Sequence, residues 1–157
     1  MSPKPKADLT LEPNCMCFKV RRAARAVSQH YDAAIGQHGL TTPQFSLLSV
    51  LANVGLRSLS ELAKLTTTDR TTLNRNLGLL EERGLVESAR GADKRTRRFV
   101  LTREGRDLQA AARGDWLVVQ AGLEDALGGT RVQRLLNDLD SLLEGLDRLG
   151  GEAEAAS

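Results

Sequence analysis

Long apolar runs are missing from this 157-residue chain; none approaches the roughly 18 residues that would span a bilayer. The opening Met1-Ser-Pro-Lys-Pro-Lys6 likewise lacks the apolar segment of a signal peptide, so a cytoplasmic protein with no membrane partner is expected. Catalytic constellations are missing as well. No Ser/His/Asp set or pair of carboxylates accompanies a Gly-rich phosphate loop, and the two histidines, His30 and His38, lie on or beside one helical segment far in sequence from the candidate acids. Those absences exclude the common enzyme classes, and no cofactor is expected. Internal repeats are also lacking, which excludes a stacked-repeat array. With 41% hydrophobic residues the chain can bury one core, and its helical periodicity leaves no room for a second domain.

What the chain does have is concentrated between residues 58 and 106. In Ser58-Leu-Ser-Glu-Leu-Ala-Lys-Leu65 the apolar positions Leu59, Leu62, Ala63 and Leu65 share one helical face, and the stripe resumes in a second helix at Leu73, Leu77 and Leu80. The opposite face of that second helix carries Arg70, Thr71, Asn74 and Arg75. Such donors suit a major groove, because Arg pairs with guanine, Asn with adenine, and Thr with a phosphate or a base edge. The second helix is therefore the candidate reader. Thr68 is expected to act as its N-cap and to belong to the same surface.

Gly84 closes the reader helix as a C′ glycine would, and Leu85-Val-Glu-Ser-Ala89 then reads as a strand answered by Arg97-Arg-Phe-Val-Leu101. From residue 90 to 98 the chain places Arg90, Lys94, Arg95, Arg97 and Arg98 against Asp93 alone. A basic run is often only a solvated loop, but on a hairpin directly after a two-helix reader it is placed to meet phosphate. Asp93 suits no phosphate contact and is expected to orient a neighbouring arginine across the tip. Two helices, a strand, a basic tip and a second strand make a winged helix-turn-helix. The fold class expected is mainly α with a small two-stranded β wing.

Together, Leu59-Ser-Glu-Leu-Ala63, Leu77-Gly-Leu-Leu-Glu-Glu-Arg-Gly-Leu-Val86, Asp93-Lys-Arg95 and Val100-Leu-Thr-Arg-Glu-Gly105 resemble the MarR-type winged-helix transcriptional regulators, over roughly residues 16–149. The resemblance implies a homodimer whose reader helices enter successive major grooves while the wings reach the flanking minor grooves. It matches Arg95 to the minor-groove arginine and Asp93 to its partner, and it implies small aromatic or anionic effectors in a cleft between the dimer helices and the DNA-binding lobe. One departure stands out: Thr66-Thr-Thr68 replaces the turn, often Leu-Gly, that precedes the reader in such proteins.

The flanks fit a dimer. Val20, Ala24, Val27, Tyr31 and Ile35 form one helical stripe and Phe45, Leu48, Leu51 and Ala52 another, both expected to face the core. After Gly105 a long helix carries Leu108, Ala112, Trp116, Val119 and Leu123 on one face. Gly128-Gly129 ends it, and residues 130–149 follow with a broad leucine stripe that includes Leu135, Leu139, Leu142 and Leu146. A stripe that wide can serve a packing helix or a subunit interface, and two-fold operators demand two readers. The expected organisation is a single domain over 1–157, with a DNA-binding lobe at 58–106, dimerisation helices at 14–37 and 107–149, and flexible ends at 1–13 and 150–157. Residues 124–157 carry three basic side chains against eight acids, so that end should sit away from DNA.

Cys15 and Cys17 lie one residue apart at the start of a helix beside Lys19, Arg21 and Arg22, a setting that favours thiolate. They are either inert helix residues or a sensor that reacts with oxidants or electrophiles, bridges two subunits, or holds a thiophilic metal. The effector cleft implied by the resemblance falls near Arg21, Arg25, His30 and Trp116. Each also has an ordinary explanation: Trp116 as core, and the other three as solvated helix residues. The function expected is a sequence-specific DNA-binding regulator, a repressor acting as a homodimer on a pseudo-palindromic double-stranded operator. A small-molecule, metal or thiol-reactive signal would release it. The alternative is a winged-helix protein-interaction module that does not bind DNA.

Overall fold

The computed structural model describes residues 15–90 and 97–155, which fall into two compact units, Met1–Gln109 and Ala110–Ser157. The first unit opens with α1 (Met16–Ile35), a 3₁₀ turn (Gly36–His38) and α2 (Thr42–Val54). Thr41 caps α2 reciprocally with Gln44, Pro43 occupies its first turn, and Asp32 Oδ1 accepts from both the backbone N–H and the hydroxyl of Thr42 at 2.9 and 2.6 Å. These bonds fix the angle at which α2 leaves α1. Gly55, at φ +67°, then reverses the chain into β1 (Arg57–Ser58).

There the expected two-stranded wing is present as a hairpin, and a third strand that was not expected joins its sheet. Its order is β1, β3 (Arg97–Leu101), β2 (Val86–Arg90), antiparallel throughout, with Arg57 opposite Phe99 and Val86 opposite Leu101. A two-residue strand is too short to show alternation in sequence, so only the fold reveals it. Between β1 and β2 run α3 (Leu59–Thr66) and α4 (Arg70–Glu82). Ile35, Leu48, Leu51, Leu62, Leu77, Leu80 and Phe99 are the fully enclosed centre of this unit, so both helices of the reader pair rest on the same core as the wing.

The stripe on α1 is only half as expected. Tyr31 and Ile35 are buried, but Val20 and Val27 are 38% and 43% exposed and Ala24 is exposed too, because periodicity identifies an apolar face without supplying a cover for it. The first unit ends with the start of α5 (Arg103–Leu127). In the second unit α5 continues to Leu127, Gly128 turns the chain at φ +87°, and α6 runs Gly129–Ala155, beyond the expected end at 149. The extension crosses Gly150-Gly151, which are poor helix formers, and takes in Glu152-Ala-Glu-Ala155, which are strong ones. Along α6, Leu135, Leu136, Leu139, Leu143 and Leu146 are all exposed in the single chain.

Candidate nucleic-acid interface

The candidate reader helix, α4, is held at both ends by bonds that its sequence encodes. Ser58 and Glu61 form a capping box that starts α3; the Ser58 hydroxyl and backbone N–H both donate to Glu61, which holds that carboxyl below its ordinary range. At the other end of α3 the Thr66-Thr-Thr68 run replaces a glycine turn. Thr67 takes the left-handed conformation at φ +48°, costly for a β-branched residue by about 1–2 kcal/mol. Its neighbours offset this: Thr66 Oγ1 donates to Leu62 O at 2.8 Å and Thr68 Oγ1 to Thr66 O at 3.0 Å. The N-cap of α4 is then Asp69, not Thr68. Asp69 Oδ1 accepts from Thr72 N at 2.9 Å, which lowers its pKa, while the Thr68 hydroxyl is turned back to the preceding turn.

From that start Leu73, Leu77 and Leu80 point into the core, and Arg70, Thr71, Asn74 and Arg75 are all exposed together. Among the described residues neither Arg70 nor Arg75 has a carboxylate partner. The helix ends in a double backbone clasp, with Gly84 N–H donating to Glu81 O and Leu85 N–H to Leu80 O around the left-handed Gly84. Beside α4 a cleft of about 250 Å³ gathers Ser58, Ser60, Arg70, Asn74 and Arg97 on one surface. The wing base lies alongside, with Arg90 and Arg97 as register partners. Asp93, Lys94 and Arg95 at the tip lie outside the described residues.

Arg97 was expected on DNA, but its guanidinium is engaged within the protein. Nη2 donates to both carboxylate oxygens of Glu81 at 2.9 Å and to Ser88 Oγ at 2.8 Å, and the group stacks 5.2 Å from the centre of the Phe99 ring. Arg98 lies 3.6 Å from Glu61. Sequence inspection offered no signal for these pairs, since Glu81 and Arg97 are sixteen residues apart on different elements.

A model of the MarR family matches residues 38–96. The HTH-type transcriptional regulator TtmR of Methylorubrum extorquens (strain PA1) is 31% identical over 140 residues, which is 88% of this chain and 71% of that protein. The chain belongs to the MarR family. The crystal structure of the M. tuberculosis transcriptional regulator MosR in complex with DNA is similar at TM-score 0.74 and 40% identity, over 85% of this chain and 98% of that one. The transcriptional repressor CouR bound to a 23-mer DNA duplex is similar at TM-score 0.77 and 26% identity, over 83% and 94%. The curated relatives are longer than the part matched, the alignments spanning 65% and 71% of their lengths.

MarR membership gives the Leu101-Thr-Arg-Glu-Gly105 motif a physical reading here. Thr102 Oγ1 accepts from Gly105 N at 3.0 Å, capping α5, and donates to Gly84 O at 2.7 Å, while Thr102 N donates to Leu85 O at 3.2 Å. Gly105 is packed so closely on Leu85 that a Cβ would stand 1.9 Å from its carbonyl oxygen. The motif thus ties the end of the reader to the start of α5.

The remaining candidates lie on α1 and α5. Cys15 is the N-cap residue of α1 and half-buried, Cys17 is exposed two residues on, and both are free thiols. Arg21 and Arg25 line a shallow groove on α1 with Phe18 and Arg22; His30 is exposed and outside that lining. Trp116 is partly buried on α5 in the other unit. Among the described residues no group of three or more His, Cys, Asp or Glu is assembled that could hold a metal ion, and no helix is long and apolar enough to cross a membrane. A larger cleft that sequence inspection missed, about 400 Å³, is lined by Ser28, Thr42, Ser46, Thr66, Thr72 and Asn76 behind the reader helix.

Proposed function

We propose that the protein is a sequence-specific DNA-binding transcriptional repressor, acting in the cytoplasm as a homodimer on a pseudo-palindromic operator and carrying out no catalysis. The observation that carries this is the exposed set Arg70, Thr71, Asn74 and Arg75 on a helix capped at both ends and backed by leucines, beside a cationic wing. Base-edge readers need free donors on a rigid element, and these are such donors. The DNA complexes of similar MarR proteins support the same use of the fold. The protein-interaction alternative would need an apolar or acidic reader face, which this is not. The wing residues Arg90, Lys94 and Arg95, with Asp93 orienting Arg95, belong to the same proposed surface as phosphate and minor-groove contacts.

Two chains are needed for two half-sites, and the exposed leucines of α6 with Val20 and Val27 of α1 support a subunit interface. Release from DNA is proposed through two inputs. Thiol-reactive signals would act at Cys15 and Cys17, where the start of α1 is accessible. A small molecule would act in the cleft lined by Thr72 and Asn76, whose volume of about 400 Å³ suits such a ligand and whose wall is the reader helix itself. Arg21, Arg25, His30 and Trp116 remain an alternative effector surface.

The test is selection from a random duplex pool followed by titration of the selected sequence. A palindrome bound by two chains supports the proposal; absence of any duplex binding rejects it.

A further inference from the structure

We propose that Glu81 sets specificity at the DNA interface by withholding the Arg97 guanidinium from duplex phosphates. This rests on the DNA-binding function proposed above. Arg97 stands at the base of the wing and lines the same cleft as Arg70 and Asn74, so a guanidinium there is within the surface offered to a duplex. Its charge, unlike theirs, is already answered. Both oxygens of Glu81 accept from Nη2 at 2.9 Å, Ser88 Oγ lies 2.8 Å away on β2, and the plane rests over Phe99.

An isolated surface ion pair is weak and yields readily to salt. This one is still 57% exposed at Arg97, but three neighbours hold the guanidinium, through Nη2 and the Phe99 ring. Phe99 is only 1% exposed and cannot follow a departing arginine, and Glu81 is bound into the last turns of α4, where its carbonyl accepts from Gly84 N–H. Fixing Arg97 also ties the reader helix to β2 and β3, so the wing keeps its distance from the reader.

The consequence is a division of charge. Arg70 and Arg75, free of carboxylates among the described residues, sit with Thr71 and Asn74, which can test base edges. Arg97, on the base of the wing, would add phosphate attraction that does not depend on sequence, and the Glu81 carboxylate cancels it. Each phosphate neutralised steepens the plot of log affinity against log salt by about 0.9, equivalent to about eightfold tighter binding at 0.1 M salt. Removing the carboxylate should therefore strengthen binding to the wrong sequences.

The experiment titrates full-length wild type, Glu81→Gln, Arg97→Gln, the Glu81→Gln/Arg97→Gln double variant and Glu82→Gln against a random-sequence duplex by fluorescence anisotropy over a salt series. Glu82 is the adjacent exposed acid, and its variant controls for the change in net charge. Glu81→Gln should bind about eightfold tighter for each phosphate newly engaged at 0.1 M salt, with a slope steeper by about 0.9. Glu82→Gln and the double variant should show neither gain, and Arg97→Gln alone should keep the wild-type slope. If Glu81→Gln does not fold, Arg97→Gln alone decides the question. Equal gains from Glu81→Gln and Glu82→Gln, or a slope flattened by about 0.9 in Arg97→Gln, would overturn the assignment of Glu81. A wild type that binds no duplex at any salt instead rejects the DNA-binding function on which it rests.

Discussion

Gly105→Ala is the substitution whose cost the structure states most directly. Alanine is the better helix former and in an open helix position should stabilise by about 0.5–1 kcal/mol. At residue 105 the new Cβ would stand 1.9 Å from Leu85 O and 2.9 Å from Leu85 C, so backbone must move by about 1 Å before the contact reaches the 3.0 Å limit. The backbone that must yield carries the Thr102 N–H to Leu85 O and Thr102 hydroxyl to Gly84 O bonds, at 3.2 and 2.7 Å. Overpacking at about 1–3 kcal/mol, and about 1 kcal/mol for each strained bond, outweigh the helix gain and leave a net loss of about 2–4 kcal/mol. Gly78→Ala is the control, since Gly78 lies inside α4 with nothing within 4 Å of its Cβ position. Urea unfolding at one fixed protomer concentration should show the two alanines moving the midpoint in opposite directions. A Gly105→Ala protein as stable as wild type would refute the claim that this glycine is required by close approach to Leu85.

Three further outcomes are expected. Asn74→Ala and Arg75→Ala should each lose about 1–3 kcal/mol on the selected duplex and much less on random sequence, as anisotropy titration would read; equal losses on both would show that α4 is not the reader. The Asp69 carboxyl is held below its ordinary range by the Thr72 backbone N–H, so the stability it contributes is full above the unfolded-chain value and is lost as pH falls through the folded value. Asp69→Asn, which keeps a cap but cannot titrate, should accordingly show a shallower fall in melting temperature between about pH 5 and pH 3; an unchanged fall would remove Asp69 as the acid-sensitive cap. Peroxide or an electrophile should weaken operator binding by about 5–150-fold in the wild type and not in a Cys15→Ser/Cys17→Ser double variant, by shifting the helices that set the distance between the two readers. A non-reducing gel would show whether a bridge joins two subunits, and identical responses of the two proteins would make the thiols structural.

Much of the winged-helix fold around α4 was legible because its signals are local. Leu73, Leu77 and Leu80 share a face at helical spacing and are all buried, Gly84 terminates α4 where only glycine is comfortable, and β3 has the predicted bounds. The cap was missed by one residue. Thr68 and Asp69 both carry a suitable oxygen, and the choice between them depends on the left-handed Thr67, which reorients the chain after α3. The stronger cap preference of Asp over Thr was the available clue. Nothing local marked β1, whose two residues become a strand only against Arg98 and Phe99. The Arg97 pairing was equally hidden, because a basic wing residue looks the same in sequence whether it faces a phosphate or a carboxylate on a neighbouring helix. In α1, periodicity located the apolar stripe but could not say that Val20 and Val27 stay partly exposed while Tyr31 and Ile35 are buried.

The central claim is that two copies of the Arg70, Thr71, Asn74 and Arg75 face read two half-sites of one duplex. Selection from a random 30-base-pair pool, followed by sedimentation of the protein with the enriched sequence, tests it most directly. The expected result is a pseudo-palindrome with half-site centres about one helical turn, roughly 10 base pairs, or a near multiple apart, bound by two chains with a steep loss of affinity as salt rises. Enrichment of no sequence, with a monomer that ignores duplex DNA at every salt concentration, would contradict it.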